Sequence, residues 1–122
     1  MTARAPVTMS YAEYLEKEKA SDDKHEFLRG EIFAMAGGTP EHAALQAAVA
    51  RHVANALSGK PCRVYSSDLR VRVDATNFAC YPDVTVIRGK LETSPLDPDA
   101  AVNRMEADRA PLDEFCHFVN NR

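Results

Sequence analysis

The segment from Thr39 to Pro61 restricts the fold of this chain more than any other. Thr39 is an N-cap residue, Pro40 suits the first helical position, and Glu41 meets the positive end of the helix. Leu45, Val49, Val53 and Leu57 then recur at four-residue spacing with alanines between them, and Gly59 and Pro61 stop the pattern. This predicts a long amphipathic helix. A shorter one precedes it, from about Tyr11 to Ala20. There Ser10-Tyr11-Ala12-Glu13 forms a capping box, and Met9 and Tyr14 are spaced for a hydrophobic staple. Tyr11, Tyr14, Leu15 and Glu18 fall on neighbouring turns of that helix.

Strand patterns separate the helices. Glu26 to Met35 reads as two short strands around a turn at Gly30. Cys62 to Val73 is strand-like but changes phase partway. Cys62 and Val64 share one parity, whereas Leu69, Val71 and Val73 share the other. Side chains alternate faces with period two, so this slip predicts a bulge or bend at Ser66-Ser67-Asp68. Asp74 to Asn77 reads as a turn, and Phe78 to Ile87 as the next strand, interrupted at Pro82. Beyond Gly89, the run containing Pro95, Asp97, Pro98 and Asp99 reads as loop, and Pro111 to Phe118 fits a short amphipathic helix. The sum is one α+β domain of 122 residues, with 45% hydrophobic residues to form a core.

Charge and cysteine usage narrow the function. The net charge of −3 argues against a strongly basic nucleic-acid binder. The charge is nevertheless uneven. Residues 1–90 hold 12 Lys and Arg against 11 Asp and Glu, whereas residues 91–122 hold 3 against 7. The basic residues of 60–90 either form solvated strand faces or mark a binding surface. Cys62, Cys80 and Cys116 are far apart, and His25, His42, His52 and His117 form no ligand pattern, so no zinc motif is present. Reduced thiols in a cytoplasmic protein are expected. No apolar run is long enough to span a bilayer.

Tyr81-Pro82-Asp83-Val84-Thr85-Val86 is the most suggestive stretch for chemistry. A carboxylate opening an apolar strand needs a partner, because burying it alone is costly. A salt bridge, a turn or a divalent cation would each supply one.

Three runs considered together are more specific. Gly30 to His42, Pro61 to Val73 and Tyr81 to Val86 resemble, in order and separation, the Uma-type restriction endonuclease family. The resemblance implies a PD-(D/E)xK nuclease fold, a mixed β-sheet flanked by helices. It implies DNA as the partner and Mg2+ or Mn2+ as the cofactor, with no small-molecule cofactor and no membrane. Asp83 matches the family's metal-binding aspartate. Glu41, on the first turn of the long helix, and Asp68, at the phase slip, are further catalytic candidates. Their structural alternatives are a helix-start carboxylate and a turn residue. His42 is read as a surface position.

The resemblance covers roughly residues 10–103, and residues 104–122 diverge. The family would next supply a strand bearing a second metal carboxylate, followed by a lysine position. Arg104 to Pro111 offers neither. The expectation is therefore a domain incomplete at its C-terminus, as a frameshift or early stop near Asn103 would produce. Its exposed strand edge would be covered by residues 104–122 or by self-association. Three functions follow from these readings. The chain is a metal-dependent nuclease or a nuclease-derived domain, expected to be inactive in this incomplete form; or a non-catalytic remnant serving as an interaction or structural module; or a nucleic-acid-binding module using Arg63, Arg70 and Arg72.

Overall fold

The computed structural model describes residues 8–35, 37–103 and 115–118. Helix α1 spans Tyr11–Ala20 and α2 spans Pro40–Ala56. The strands are β1 His25–Leu28, β2 Glu31–Ala34, β3 Cys62–Tyr65, β4 Arg70–Val73, β5 Phe78–Cys80, β6 Val84–Arg88, β7 Ala100–Asn103 and β8 Phe115–Phe118. They form a five-stranded sheet ordered β2-β1-β5-β4-β7 and a three-stranded sheet ordered β3-β6-β8. All pairings are antiparallel except β4 with β7. The expected α+β fold, a mixed sheet flanked by helices, is present.

Local signals act as the sequence implies. Ser10 and Glu13 complete the capping box, and the Thr39 side chain accepts from the His42 N–H. The β1–β2 hairpin turns through Arg29 at φ 50° and Gly30 at φ 93°, left-handed values at both central positions. At Gly30 a Cβ would also lie 2.9 Å from the Thr8 Cβ, so conformation and space both select glycine.

The phase slip has a larger consequence than a bend. In register, Tyr65 faces Thr85 and Val71 faces Cys80. Residues 66–70 on one arm therefore stand against residues 81–84 on the other, five against four. One extra residue is the definition of a bulge, and here it splits one long hairpin between two sheets. Its outer half, β3 with β6, lies in the smaller sheet, and its inner half, β4 with β5, lies in the larger. The interruption at Pro82 is the same event seen from the second arm.

Two clusters hold the layers. Tyr11 and Tyr14 of α1 pack on Phe27 and Ala79 with ring centroids 5.0–5.5 Å apart, and Met9, Leu15 and Ile32 flank them. Val71, Cys80 and Ala101 of the larger sheet meet Ile87 of the smaller, with Tyr65, Leu69 and Phe78 alongside. Strand β6 is buried from Val84 to Ile87, which explains an apolar run interrupted only by Thr85.

The run from Pro95 to Asp99 is loop, as read, and β7, which the sequence reading did not assign, follows it with all four residues buried. Two expectations are corrected. The helix read over 111–118 is contradicted at Phe115–Phe118, which forms β8 against β6; residues 111–114 lie outside the described residues. Ladder hydrogen bonds to the edge of β6 outweigh a weak local helical pattern there. The edge is thus covered from within the chain, one of the two expected ways. Finally, the stripe on α2 is not a buried one. A four-residue spacing drifts about 40° per step on a 3.6-residue helix, so one end of the stripe rotates away from the sheet. Leu45 is 63% exposed, and α2 buries no residue fully.

Candidate functional site

The break in the long hairpin gathers the polar residues. Asp68 and Arg70 lie on one arm, Tyr81 and Asp83 on the other, and a helix approaches from each side. The result is two adjoining polar centres of different character.

The first lies beneath α1. Asp97 is buried in the loop before β7, its side chain 2% exposed. Arg70 grips it in bidentate fashion, Nε to Oδ2 at 2.9 Å and Nη2 to Oδ1 at 2.5 Å. The Tyr11 hydroxyl also donates to Asp97 Oδ2. Arg70 Nη1 donates to the Tyr81 hydroxyl at 3.0 Å, which in turn donates to Glu18 Oε2 at 2.7 Å. Glu18 accepts the His25 N–H at 2.8 Å and lies 2.9 Å from His25 Nδ1. Burial opposes the charged form of both ions of the central pair. The mutual hydrogen bonds, with that of Tyr11 to Asp97, outweigh it, holding the Asp97 carboxyl below its usual range and raising the Arg70 guanidinium. Burial, and then the bond to Glu18, raise the Tyr81 hydroxyl. The centre joins α1, β1, β4 and the loops before β6 and β7, and it forms the wall of a cleft of about 550 Å³.

Asp83 forms the second centre, just ahead of β6 with its side chain 22% exposed. His42 Nε2 lies 3.1 Å from Asp83 Oδ2, and Gln46 donates to the Asp83 carbonyl at 2.9 Å. His42 and Gln46 are one turn apart on α2, so a single helix face holds Asp83 by side chain and backbone. His42 is therefore more than the surface residue read from the sequence.

The other candidates are placed elsewhere. Glu41 is exposed on the first turn of α2. Asp68 is in the bulge, 86% exposed and paired with Lys24 at 2.7 Å, and that bond holds its carboxyl below the usual range. Arg70 is committed to the buried network. Arg72 donates to Asp74 and Asn77 and lies 3.9 Å over the Tyr11 ring. Arg63 is exposed on β3.

The family model described as "Uma2: Putative restriction endonuclease" matches residues 11–112. The chain belongs to the Uma2 family. The sequence resemblance thus stands. A solved structure, a "putative nuclease belonging to DUF820" from Anabaena variabilis, superposes with a TM-score of 0.58 at 14% identity, over 88% of this chain and 63% of that one. At that identity the likeness shows the fold, which is nuclease-like. Two uncharacterized proteins of Synechocystis are also similar. Slr1290 is 37% identical over 79 residues, 64% of this chain and 41% of the relative. Sll1609 is 32% identical over 79 residues, 65% of this chain and 45% of the relative. This chain spans less than half the length of both.

A nuclease-like Uma2 domain implies a divalent ion, and the donors at Asp83 can be tested for one. Magnesium and manganese want several hard oxygen ligands converging on one point. Among the described residues no three His, Cys, Asp or Glu side chains come together. The strands paired with β6 read Cys-Arg-Val-Tyr and Phe-Cys-His-Phe, without a carboxylate or a lysine. One carboxylate already engaged by an imidazole does not fit such an ion.

Sequence reasoning missed Asp97, Tyr81 and Glu18. Asp97 sits in a proline-flanked run that resembles a turn, and Arg70 reads as a solvated strand position. A weak signal existed. Arg70 and Arg72 share the parity opposite to Leu69, Val71 and Val73, and the helix able to cover that face carries Tyr11, Tyr14 and Glu18.

Proposed function

We propose that this chain is a nuclease-derived domain directed at DNA, and that it does not hydrolyse phosphodiesters by itself. The observation behind the reading is the setting of Asp83. It stands at the family's position ahead of β6, partly open to solvent, yet its paired strands bring no second carboxylate. A lone carboxylate beside a phosphodiester repels it, and His42 is the one cationisable group at hydrogen-bond distance among the described residues. Of the other two candidate carboxylates, Glu41 is exposed on the first turn of α2, next to His42 in sequence, whereas Asp68 is engaged by Lys24. The reading as a non-catalytic remnant is favoured by the same donor count.

Cys62 and Cys80 are not in a disulfide, which agrees with a reducing, cytoplasmic setting. Exposed Leu28, Phe33 and Leu45 support self-association, which light scattering would measure. No helix among the described residues is long and apolar enough to cross a membrane.

Calorimetric titration of manganese into the wild type and Asp83→Ala, run beside a plasmid-nicking assay, tests the proposal. No Asp83-dependent binding and no nicking are expected. Nicking that needs both manganese and Asp83 would overturn it.

A further inference from the structure

The far end of the smaller sheet carries a surface that the centre at Asp83 does not use. There β3 begins and β6 ends, with Cys62 opposite Arg88 and Arg63 opposite Ile87. Gly89 turns the chain at φ 78°, and its N–H donates to the Pro61 carbonyl at 2.7 Å. The Cys62 N–H donates to the Lys60 carbonyl at 2.7 Å. These bonds fix two loops side by side and leave an open groove of about 540 Å³ between them.

Lys60, Arg63 and Lys90 line that groove with Tyr65 and Leu91, and among the described residues no acidic one lines it. The three cations come from the loop after α2, from β3 and from the turn after β6, and all three are exposed. None of them has a carboxylate partner among the described residues, in contrast to Arg70 with Asp97 and Arg72 with Asp74. Leaving three like charges together and unneutralised is unfavourable for the free protein. The arrangement becomes favourable once a polyanion displaces their counterions.

We propose that the Lys60–Arg63–Lys90 groove binds the sugar-phosphate backbone of a nucleic acid. The cations come from three separate elements and are all exposed in an open groove, not buried at one point, which suits a chain of phosphates better than a single small anion. Tyr65 supplies the aromatic wall that sugar and base edges pack against. Six residue steps of near-extended chain lead from Asp83 to Gly89, roughly 20 Å at 3.3 Å per step. The groove is therefore distinct from the Asp83 centre and does not depend on turnover there. It also reassigns the nucleic-acid contacts expected from the sequence. Arg63 is retained, and Lys60 and Lys90 take the places of Arg70 and Arg72, whose guanidinium groups are occupied within the fold.

Fluorescence anisotropy with a labelled duplex and a labelled single strand, across a potassium chloride series, tests the proposal. Three phosphate contacts predict a slope of log K against log salt of about −2 for single strands and nearly −3 for duplex. Combining Lys60→Ala, Arg63→Ala and Lys90→Ala should weaken binding on the order of tenfold or more at low salt and flatten the slope. Each single variant should reduce the slope by about one. The substitutions are exposed, so overlaid thermal melts will show the fold unchanged. Retained affinity and slope in the triple variant would overturn the proposal, as would wild-type protein that binds anionic vesicles but neither nucleic acid. The Asp83 reading is judged by manganese binding and nicking and the groove by the salt slope of the triple variant, so the two failures are separately visible.

Discussion

The two polar centres at the hairpin break differ in how completely they are furnished. Beneath α1, Asp97 is met by Arg70 and Tyr11, and Tyr81 links Arg70 to Glu18, so the buried ions have their partners inside the fold. At Asp83 there is one carboxylate, one imidazole and a backbone tie from Gln46. The centres are two residues apart in sequence, through Tyr81 and Asp83, yet one is closed and the other open. A closed network serves the fold, since every partner it loses leaves a buried group exposed to an apolar medium. An open pair can be altered with little effect on stability, which is the condition under which a site can lose its chemistry while its scaffold persists.

The sharpest way to break this comparison is to truncate each centre. Asp97→Ala leaves Arg70 buried without its counterion, and about 3–5 kcal/mol of stability should disappear in urea denaturation. Asp83→Ala, at a partly exposed pair, should cost under about 1 kcal/mol. Equal losses would mean that the two centres are not different in kind. Tyr81→Phe is the next largest test. It removes the acceptor of Arg70 Nη1 and the donor to Glu18 together, for an expected loss of about 1–3 kcal/mol.

Acid titration sharpens the contrast. The Asp97 carboxyl is depressed in the folded state, so the unfolded chain takes up its proton first as pH falls. Its contribution is fully present above the ordinary carboxylate value, about 3.9, and is lost as pH drops through the depressed folded value. Stability measured from about pH 5 downward should fall more steeply in the wild type than in Asp97→Asn. Parallel acid limbs would remove Asp97 from the account. Smallest of all, Asp68→Asn breaks the exposed pair with Lys24 and should stay within about 0.5 kcal/mol of wild type by thermal melting.

Much of the scaffold was legible because its signals are local. A capping box, a Pro40 helix start and a two-residue turn at Gly30 each act over a few residues, and no distant contact is needed to decide them. The phase change between Val64 and Leu69 was also legible, since parity is a property of the chain itself. Strand β7 was not. Ala100-Ala101-Val102-Asn103 shows no alternation because all four residues are buried, and its partner β4 lies some thirty residues earlier, joined in parallel. The strand character of Phe115–Phe118 was hidden for a related reason. An edge offered by β6 selects it, and that edge exists only after the sheet has formed.

At the candidate sites the division is similar. Asp83 could be found from the sequence because a carboxylate opening an apolar strand is anomalous wherever it occurs. The attachment of His42 to it could not, because that contact spans 41 residues and depends on how α2 lies across β3 and β6. Arg70 and Arg72 read as solvated strand positions or nucleic-acid contacts, yet α1 lies on that face and turns them into part-buried partners of Asp97 and Tyr11. Arg63 has the same alternation and stays in solvent, since β3 belongs to the other sheet.

The sequence alone determined α1, α2, the hairpin, the slip and the family. These depend on capping, φ preferences and side-chain parity, which are fixed by neighbouring residues. The tertiary structure decided which charges are buried and which are left open. That outcome depends on what covers each strand face, and one bulge residue that sends β3 and β4 into different sheets was enough to settle it.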